Sequence, residues 1–326
     1  MWKFADIPVK GQVVLAPMAG ITTRAYRVFM KRFGVNLFYT EMVSDCGIIY
    51  DSRNTMKYLD IDPGEHPIGV QIFGSKAETL VAAVKKLQSM KSDYDFIDVN
   101  LGCPMPKVTK NGAGSAWLTR PEELEAMMAE LVKISVKPIT AKIRIGWDDE
   151  NINVKDIAER LERAGVSLIA IHTRTTKQIY SGSARHEEIR DLGLNMKVPL
   201  VISGDIDSIE NAQKALDITK ASAVMVARGG LGRPRFIAQL SEYFRSGKTL
   251  PDATLAEQLI YLRQLAKRLV ALKGEHVAIK ELRGLGVHFL QGYPGMKPYK
   301  LRLSQLNTFA ELDGLLKDIR RRNIYG

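Results

Sequence analysis

The chain has 326 residues, of which 45% are hydrophobic and 25% are charged, and it carries a formal net charge of +11 with two cysteines. This composition is typical of a globular protein with one large core, or with a large and a small domain. It excludes a disulfide framework, and no apolar run approaches the roughly 18 residues that a membrane-spanning helix needs. The first residues lack a signal-peptide pattern, so we expect a cytoplasmic protein in a reducing compartment.

Short apolar, β-branched runs alternate with helical patterns through the first two thirds of the chain. The runs cover residues 13–16, 37–40, 68–73, 96–100, 139–145, 167–172, 199–203 and 222–227. Near-continuous apolar strands of this kind are typical of a parallel sheet that is buried on both faces. Eight such units favour a closed (β/α)₈ TIM barrel. A doubly wound open sheet is the alternative.

After about residue 240 the strand patterns stop and helical patterns follow. They cover residues 254–274, 275–292 and 309–323. Residues 241–326 contain 15 Lys and Arg against 8 Asp and Glu. We therefore predict a barrel domain over residues 1–240 and a basic helical domain over residues 241–326. Such a charge favours a polyanionic partner, usually nucleic acid, although a basic surface kept for solubility is the alternative.

The longest connection follows the fourth predicted strand, in LGCPMPKVTKNGAGSAWL (101–118). Thr119 and Glu122, with Pro121 between them, predict a capping box at the start of the next helix. The segment is then a loop at the face where barrel enzymes place their active sites. No His or helix start near Cys103 would activate it as a thiolate, so one interpretation is a protonated thiol that donates a proton. A small buried hydrophobe is the other, and position alone leaves both open.

Two pairs of polar residues end the next two strands. Lys142 and Arg144 share a strand face, where two cations suit an anionic or carbonyl-rich ligand. Internal salt bridges, for example to Asp98, are the alternative. His172 and Arg174 repeat the arrangement one strand later, although a lone histidine after an apolar run is also typical of a core.

Small residues mark the remaining strand ends. SGDI (203–206) and ARGGLGRP (227–234) follow the last two strands, where barrels often bind phosphate, and Arg228 adds a cation. APMAG (16–20) after the first strand leaves a flat backbone platform, and Gln71 in the third strand offers an amide that both donates and accepts. These features together predict a pocket for flavin mononucleotide (FMN).

In chain order, the motifs APMAGIT, VQIFGS, DVNLGCPMPKV, AKIRIGW, HTRT, SGDI and ARGGLGRP resemble those of the tRNA-dihydrouridine synthases, and most closely the bacterial B-type branch. The resemblance implies a flavin-binding barrel followed by a helical domain that helps to grip tRNA. It also implies a cytoplasmic enzyme that uses no metal, is not bound to a membrane and does not require an oligomer.

The resemblance implies a role for each matching residue. The implied flavin contacts are Pro17, Met18, Ala19, Gln71, Lys142 and His172. The implied contacts of the ribityl and phosphate groups are Ser203, Gly204, Asp205, Ala227 and Arg228. Asn100 and Arg144 would orient the uracil, and we group Arg174 with them. Cys103 would be the general acid.

The implied chemistry is reduction of uridine in tRNA. NADPH would reduce FMN, the reduced flavin would pass a hydride to C6 of uridine, and Cys103 would protonate C5. Because the base lies in folded RNA, it must leave its stack to react. A flavin barrel acting on a free pyrimidine, as dihydroorotate dehydrogenases do, is one alternative, and a non-catalytic RNA-binding barrel is another.

Overall fold

The computed structural model describes residues 1–90 and 92–324, whose contacts define two compact units. The first unit comprises Met1–Arg24 and Val35–Ala227, and the second comprises Ala25–Gly34 and the chain from Arg228 onward. The second unit begins at Arg228 and includes Ala25–Gly34, so the domain bounds 1–240 and 241–326 stay a prediction. In this described part of the chain, no helix is both long and apolar enough to cross a membrane.

The first unit begins with an antiparallel hairpin and continues into a sheet of parallel strands. The hairpin consists of β1 (Trp2–Phe4) and β2 (Ile7–Val9). The sheet consists of β3 (Val13–Leu15), β4 (Phe38–Tyr39), β5 (Val43–Ser44), β6 (Ile68–Phe73), β7 (Phe96–Leu101), β8 (Ile139–Arg144), β9 (Ile169–His172), β10 (Leu200–Ser203) and β11 (Ala223–Val226). The short β5 pairs with β6, beyond the end of β4.

The other eight strands close into a barrel in the order β3-β11-β10-β9-β8-β7-β6-β4. Closure between β3 and β4 rests on two backbone hydrogen bonds, from Leu15 N to Leu37 O (3.1 Å) and from Asn36 N to Val13 O (2.9 Å). The eight-stranded barrel that the sequence predicts is therefore confirmed, and the open sheet is excluded.

Helices connect the barrel strands. They are α1 (Arg24–Lys31), which lies almost wholly in the second unit, α2 (Asp45–Ile49), α3 (Arg53–Met56), α4 (Ala77–Ser89), α5 (Pro106–Thr109), α6 (Pro121–Ile134), α7 (Val154–Arg163), α8 (Leu192–Asn195) and α9 (Ile209–Thr219), with 3₁₀ helices at Lys57–Leu59, Gly114–Thr119 and His186–Ile189. The apolar faces of the longer helices cover the barrel strands, as expected for a parallel sheet.

The predicted capping box at α6 is wrong. The N-cap residue of this helix is Arg120, which makes no side-chain cap, and Thr119 Oγ1 instead donates to Ala116 O at 2.8 Å. The capping box needs the N-cap and N3 positions, but Thr119 and Glu122 lie one residue before each of them.

The barrel interior is filled at the end where the strands begin. A buried apolar cluster includes Tyr39, Phe96 and Leu168, together with Phe4 and Val9 of the hairpin. Phe4 packs edge-on against Phe96 with the ring centroids 5.1 Å apart. The hairpin thus closes this end of the barrel, which leaves the end where the strands finish as the place for a site.

The second unit is helical. Its helices are the main part of α1, α10 (Pro234–Ser246), α11 (Leu255–Lys273), α12 (Glu275–Leu285), α13 (Lys297–Leu303) and α14 (Phe309–Ile324), with 3₁₀ helices at Arg228–Gly230 and Gly286–Leu290. A capping box does form here, because Thr254 is the N-cap residue of α11 and Glu257 is at N3. Gly274, at a φ of +76°, ends α11 as the sequence predicts.

Candidate active site

The strands β6, β7 and β8 place polar side chains on the inner face of the barrel. Phe96 belongs to the interior cluster, and residues two apart on a strand share a face, so Asp98 and Asn100 continue the inner face of β7. The register pairs are Gln71 with Asp98, Asp98 with Thr140, and Asn100 with Lys142. The sequence-predicted residues Gln71, Asn100 and Lys142 are therefore brought together on adjacent strands.

Asp98 lies at the base of this polar group and is fully buried. Its Oδ1 accepts a hydrogen bond from Thr140 Oγ1 at 2.6 Å, and its Oδ2 accepts one from Gln71 Nε2 at 2.7 Å. Burial raises the pKa of Asp98 to about 6, against the two hydrogen bonds and the Lys142 cation, which favour the charged form. The carboxyl group is therefore mostly ionised at neutral pH.

Asn100 connects this group to the loop that carries Cys103. Its Nδ2 donates to Gln71 Oε1 at 2.9 Å, and its Oδ1 accepts from the backbone N–H groups of Gly102 (3.2 Å) and Cys103 (2.9 Å). The Cys103 carbonyl accepts from the backbone N–H and the Oγ of Ser115, at 3.1 and 3.0 Å. These hydrogen bonds hold the backbone of Cys103 at both its N–H and its carbonyl group. The residue itself is partly exposed.

Arg144 is almost fully buried and supports the same loop. Its Nε donates to Gly102 O at 2.9 Å and its Nη1 to Thr175 O at 2.7 Å. Its guanidinium carbon lies 5.4 Å from the centre of the Tyr180 ring, which is 44% exposed. The cation therefore fixes two loop carbonyls and lies beneath an exposed aromatic ring.

Lys142 differs from Arg144 in that its Nζ has no hydrogen bond or ion pair with any of the residues that the structure describes. The salt bridges to Asp98 that the sequence left open are thus not formed there. Burial and the neighbouring Arg144 cation lower the pKa of Lys142 to about 8, although Asp98 and Cys103 oppose the shift. A partly exposed cation of this kind can bind an anionic or carbonyl group of a ligand.

His172 and Ser203 stand side by side on β9 and β10, where they pair in register. The His172 ring stacks on Tyr180 with the centroids 6.3 Å apart. The Ser203 side chain is 4% exposed, and its Oγ makes no hydrogen bond to the described residues. Gly204 has a φ of +121°, and a Cβ there would lie 2.9 Å from both Ala184 Cβ and Thr173 Oγ1. A side chain at position 204 would therefore both strain the backbone and crowd the strand end.

Arg174 and Asp205 form an ion pair beside His172. Arg174 Nη2 lies 2.7 Å from Asp205 Oδ1 and donates to Gly182 O at 2.6 Å, while its Nε donates to Ser181 O at 3.1 Å. Arg174 is 3% exposed. The pair holds the segment around Gly182 against the end of β10.

The remaining predicted residues lie at the ends of β3 and β11. Met18 and Ala227 are partly buried and pack against the interior cluster, whereas Ala19 is exposed. Met18 N donates to Thr22 Oγ1 at 2.9 Å, which fixes the turn after Pro17. Arg228 is exposed and begins the 3₁₀ helix of the second unit. Its role at a phosphate group stays a prediction.

Several residues of this site were not singled out from the sequence. They are Thr140, Ser115, Thr175 and Tyr180, and Asp98 was considered only as an ion-pair partner. The period-two alternation of Asp98 and Asn100, and of Thr140 and Lys142, was a signal that could have placed Asp98 and Thr140 on the inner face. The other contacts depend on loops whose paths no local pattern gives. Within residues 1–90 and 92–324, no three His, Cys, Asp or Glu side chains are grouped so that they could hold a metal ion.

Comparison with known proteins identifies the family of this chain. A family model described as dihydrouridine synthase matches residues 14–323. The chain belongs to the dihydrouridine synthase family. It is 34% identical to the tRNA-dihydrouridine synthase B of Pseudomonas aeruginosa, over 95% of this chain and 92% of that protein. It is 32% identical to the tRNA-dihydrouridine synthase B of Shewanella oneidensis, over 95% of each.

These relatives confirm the family resemblance that the sequence motifs indicated. The Synechocystis protein named probable tRNA-dihydrouridine synthase 1 is 31% identical over 96% of this chain and 88% of that protein. Among solved structures, a complex of 2-naphthoyl-CoA reductase matches this dihydrouridine synthase family member with a TM-score of 0.56 and 12% identity. The match covers 76% of this chain and 52% of that chain. At this identity the likeness concerns the fold alone.

Proposed function

We propose that the chain reduces the C5=C6 bond of specific uridines in tRNA to give 5,6-dihydrouridine, with FMN as cofactor and NADPH as reductant. One observation carries this proposal. The Lys142 Nζ makes no hydrogen bond or ion pair with the described residues, and it lies near Cys103, whose loop is held by hydrogen bonds on both sides. Two relatives are named tRNA-dihydrouridine synthase B, which supports tRNA as the substrate. The net charge of residues 241–326, with 15 Lys and Arg against 8 Asp and Glu, supports a polyanionic partner.

The residues at the strand ends fit FMN. A cation that lacks a partner at Lys142 and a hydroxyl that lacks one at Ser203, among the described residues, are groups that a polar ligand would satisfy. We propose that Pro17, Met18, Ala19, Gln71, Lys142 and His172 hold the flavin ring, and that Ser203, Gly204, Asp205, Ala227 and Arg228 hold the ribityl and phosphate groups. When bound and reduced, FMN supplies the hydride.

The protein's own part in the proposed reaction is proton donation and orientation. The Cys103 thiol gives its proton to C5 of the uracil. Asn100, Arg144 and Arg174 bind the substrate, and their present hydrogen bonds fix the loops on which that binding depends. Lys142, as a cation, stabilises negative charge on a carbonyl or ring beside it.

The proposed enzyme works in the cytoplasm and does not require an oligomer. The helical domain 241–326 holds the tRNA, and the barrel domain 1–240 carries out the reaction. Since a uridine in folded RNA is stacked, we propose that the base is turned out toward the mouth of the barrel. The strong salt dependence expected of such binding reflects contacts with the phosphate backbone.

Purified protein tests the cofactor and the substrate separately. We expect FMN absorbance that NADPH bleaches, and conversion of unmodified tRNA to a product that contains dihydrouridine, measured by nucleoside mass spectrometry. Failure of the protein to take up FMN would refute the proposal that FMN is the cofactor. Protein that reduces free uridine as well as tRNA would favour the free-pyrimidine alternative, and protein that binds tRNA but never forms dihydrouridine would favour the non-catalytic one.

A further inference from the structure

Asp98 is a buried carboxylate that the proposed reaction does not use. Both of its oxygens accept hydrogen bonds from side chains of neighbouring strands, Thr140 on β8 and Gln71 on β6, at 2.6 and 2.7 Å. It forms no ion pair with a described residue, so it is not simply the counter-ion of a buried cation. Burying a charge is costly, and this position, next to the apolar interior cluster, could have taken an apolar side chain.

The accepting oxygens of Asp98 determine the orientation of two amide groups above it. An ionised carboxylate can only accept hydrogen bonds, so Gln71 must turn its Nε2 toward Asp98 and its Oε1 away. That Oε1 then accepts from Asn100 Nδ2, at 2.9 Å. Asn100 is thereby left with its Oδ1 facing the loop, where it accepts from the N–H groups of Gly102 and Cys103.

We propose that Asp98 is a positioning residue for Cys103, acting through the side-chain amides of Gln71 and Asn100. The chain of hydrogen bonds runs from the buried carboxylate to the backbone N–H of Cys103 through two side chains, and each donor in it meets an acceptor. The effect of Asp98 on catalysis depends on the proposed role of Cys103 as proton donor. The structural claim, that Asp98 holds the Cys103 loop, does not.

The chain's two cysteines allow a test that needs neither FMN nor turnover. Alkylation of each thiol by iodoacetamide is followed by mass spectrometry in the flavin-free protein, with the exposed Cys46 as an internal reference. In Asp98→Leu, which is close to Asp in shape but accepts no hydrogen bond, we expect Cys103 to react about tenfold faster, because the loop has lost its anchor. The Cys46 rate should not change.

Two further variants distinguish positioning from a general loss of structure. Asp98→Asn keeps an oxygen that can accept from Gln71, so its Cys103 rate should stay close to that of the wild type. Glu65→Gln alters another fully buried carboxylate of the same unit, outside this chain of hydrogen bonds, and should not affect Cys103. Equal rates for Cys103 in all variants would overturn the proposal. Equal increases in Asp98→Asn and Asp98→Leu would do so as well, because an oxygen that accepts from Gln71 would then not be what holds the loop.

The double variant Asp98→Leu with Gln71→Met guards against misfolding of the single variant. It replaces both partners of a buried hydrogen bond with apolar groups of similar shape, which often preserves stability. If the double variant is stable and its Cys103 reacts at the wild-type rate, the proposed chain of hydrogen bonds from Asp98 to Cys103 is refuted. In turnover, Asp98→Leu should lower kcat for tRNA by about 100-fold and leave KM nearly unchanged. If the wild type forms no dihydrouridine but the alkylation rates change as stated, the proposed function fails and the positioning role stands.

Discussion

The inner face of the barrel has two halves of different chemistry. On β6, β7 and β8 it presents Gln71, Asp98 and Thr140, and above them the partly exposed Lys142. On β3, β9, β10 and β11 it presents Val14, Ala170, Val201 and Met225, all buried in the interior cluster. His172 and Ser203 follow two residues later on β9 and β10, at the end where the strands finish. Apolar side chains stabilise the fold wherever they are well packed. Gln71, Asp98 and Thr140 depend on each donor meeting an acceptor, so the polar half constrains orientation much more tightly.

The comparison implies that the polar half determines chemistry and the apolar half determines stability. A change in the apolar half should lower the free energy of unfolding and leave each folded molecule active. A change in the polar half should alter the reaction, or its dependence on pH, more than it alters folding. Four measurements test this division.

The largest effect is expected for Cys103→Ala, at the end of the polar half. Removing a general acid typically lowers the rate by about 10²–10⁴-fold, so dihydrouridine formation should fall by that factor. The affinities for FMN and tRNA should be retained, because Cys103 is held through its backbone. Cys46→Ala is the matched control and should keep full activity. Normal turnover in Cys103→Ala would remove the thiol from the mechanism.

In the apolar half, Met225→Ala should cost about 2–5 kcal/mol of unfolding free energy, measured by urea denaturation, because it leaves a cavity in a closely packed interior. The kcat per folded molecule should change little. A large loss of kcat in a variant that is still folded would mean that the two halves are not separable in this way.

The buried carboxylate of Asp98 should make stability depend on pH with a defined sign. Its pKa is about 6 in the folded chain and 3.8 in its ordinary state, so the folded chain binds more protons between these values. The free energy of unfolding should therefore fall by about 3 kcal/mol as the pH rises from below 4 to above 6.

Asp98→Asn is the matched variant for this measurement, since it does not titrate. Subtracting its urea-denaturation curve from that of the wild type at each pH isolates the contribution of Asp98. The difference should change most steeply between pH 4 and 6 and be constant above about pH 7. Parallel pH curves for the two proteins would show that Asp98 has an ordinary pKa in the folded chain.

The smallest effect concerns Lys142, whose pKa is lowered to about 8. The kcat/KM for tRNA should fall as the pH rises through this value, by about tenfold for each pH unit above it, as the cation loses its proton. Lys142→Arg keeps its charge over this range and should lack the alkaline decline, even if its overall rate is lower. An unchanged decline in that variant would assign the titration to another group.

The sequence predicted the barrel well because its strands are buried on both faces and read as unbroken apolar runs. It predicted that Lys142 and Arg144 share a face near the end of one strand, and the structure pairs Lys142 with Asn100 on the adjacent strand. The hairpin of β1 and β2 was missed, since three-residue strands carry no clear periodicity. The capping box at Thr119 was wrong by one residue, because the 3₁₀ helix Gly114–Thr119 sets where α6 begins.

The network around Asp98 shows what a sequence pattern cannot supply. Period-two alternation can place Asp98 on the inner face, but its partners lie 27 and 42 residues away, on strands whose exact register decides the contact. The directions of the Gln71 and Asn100 amides then follow from which atoms donate and accept. Strand register and amide orientation are therefore determined together, in the assembled sheet.

The hairpin at the start of the chain has a consequence for the order of events in catalysis. Phe4 and Val9 close one end of the barrel, so any molecule that reaches the polar half enters and leaves by the opposite end. The NADPH and the tRNA that we propose would then use the same opening, so that each would exclude the other. Catalysis would consist of two half-reactions, and exchange of one partner for the other would set an upper limit on turnover.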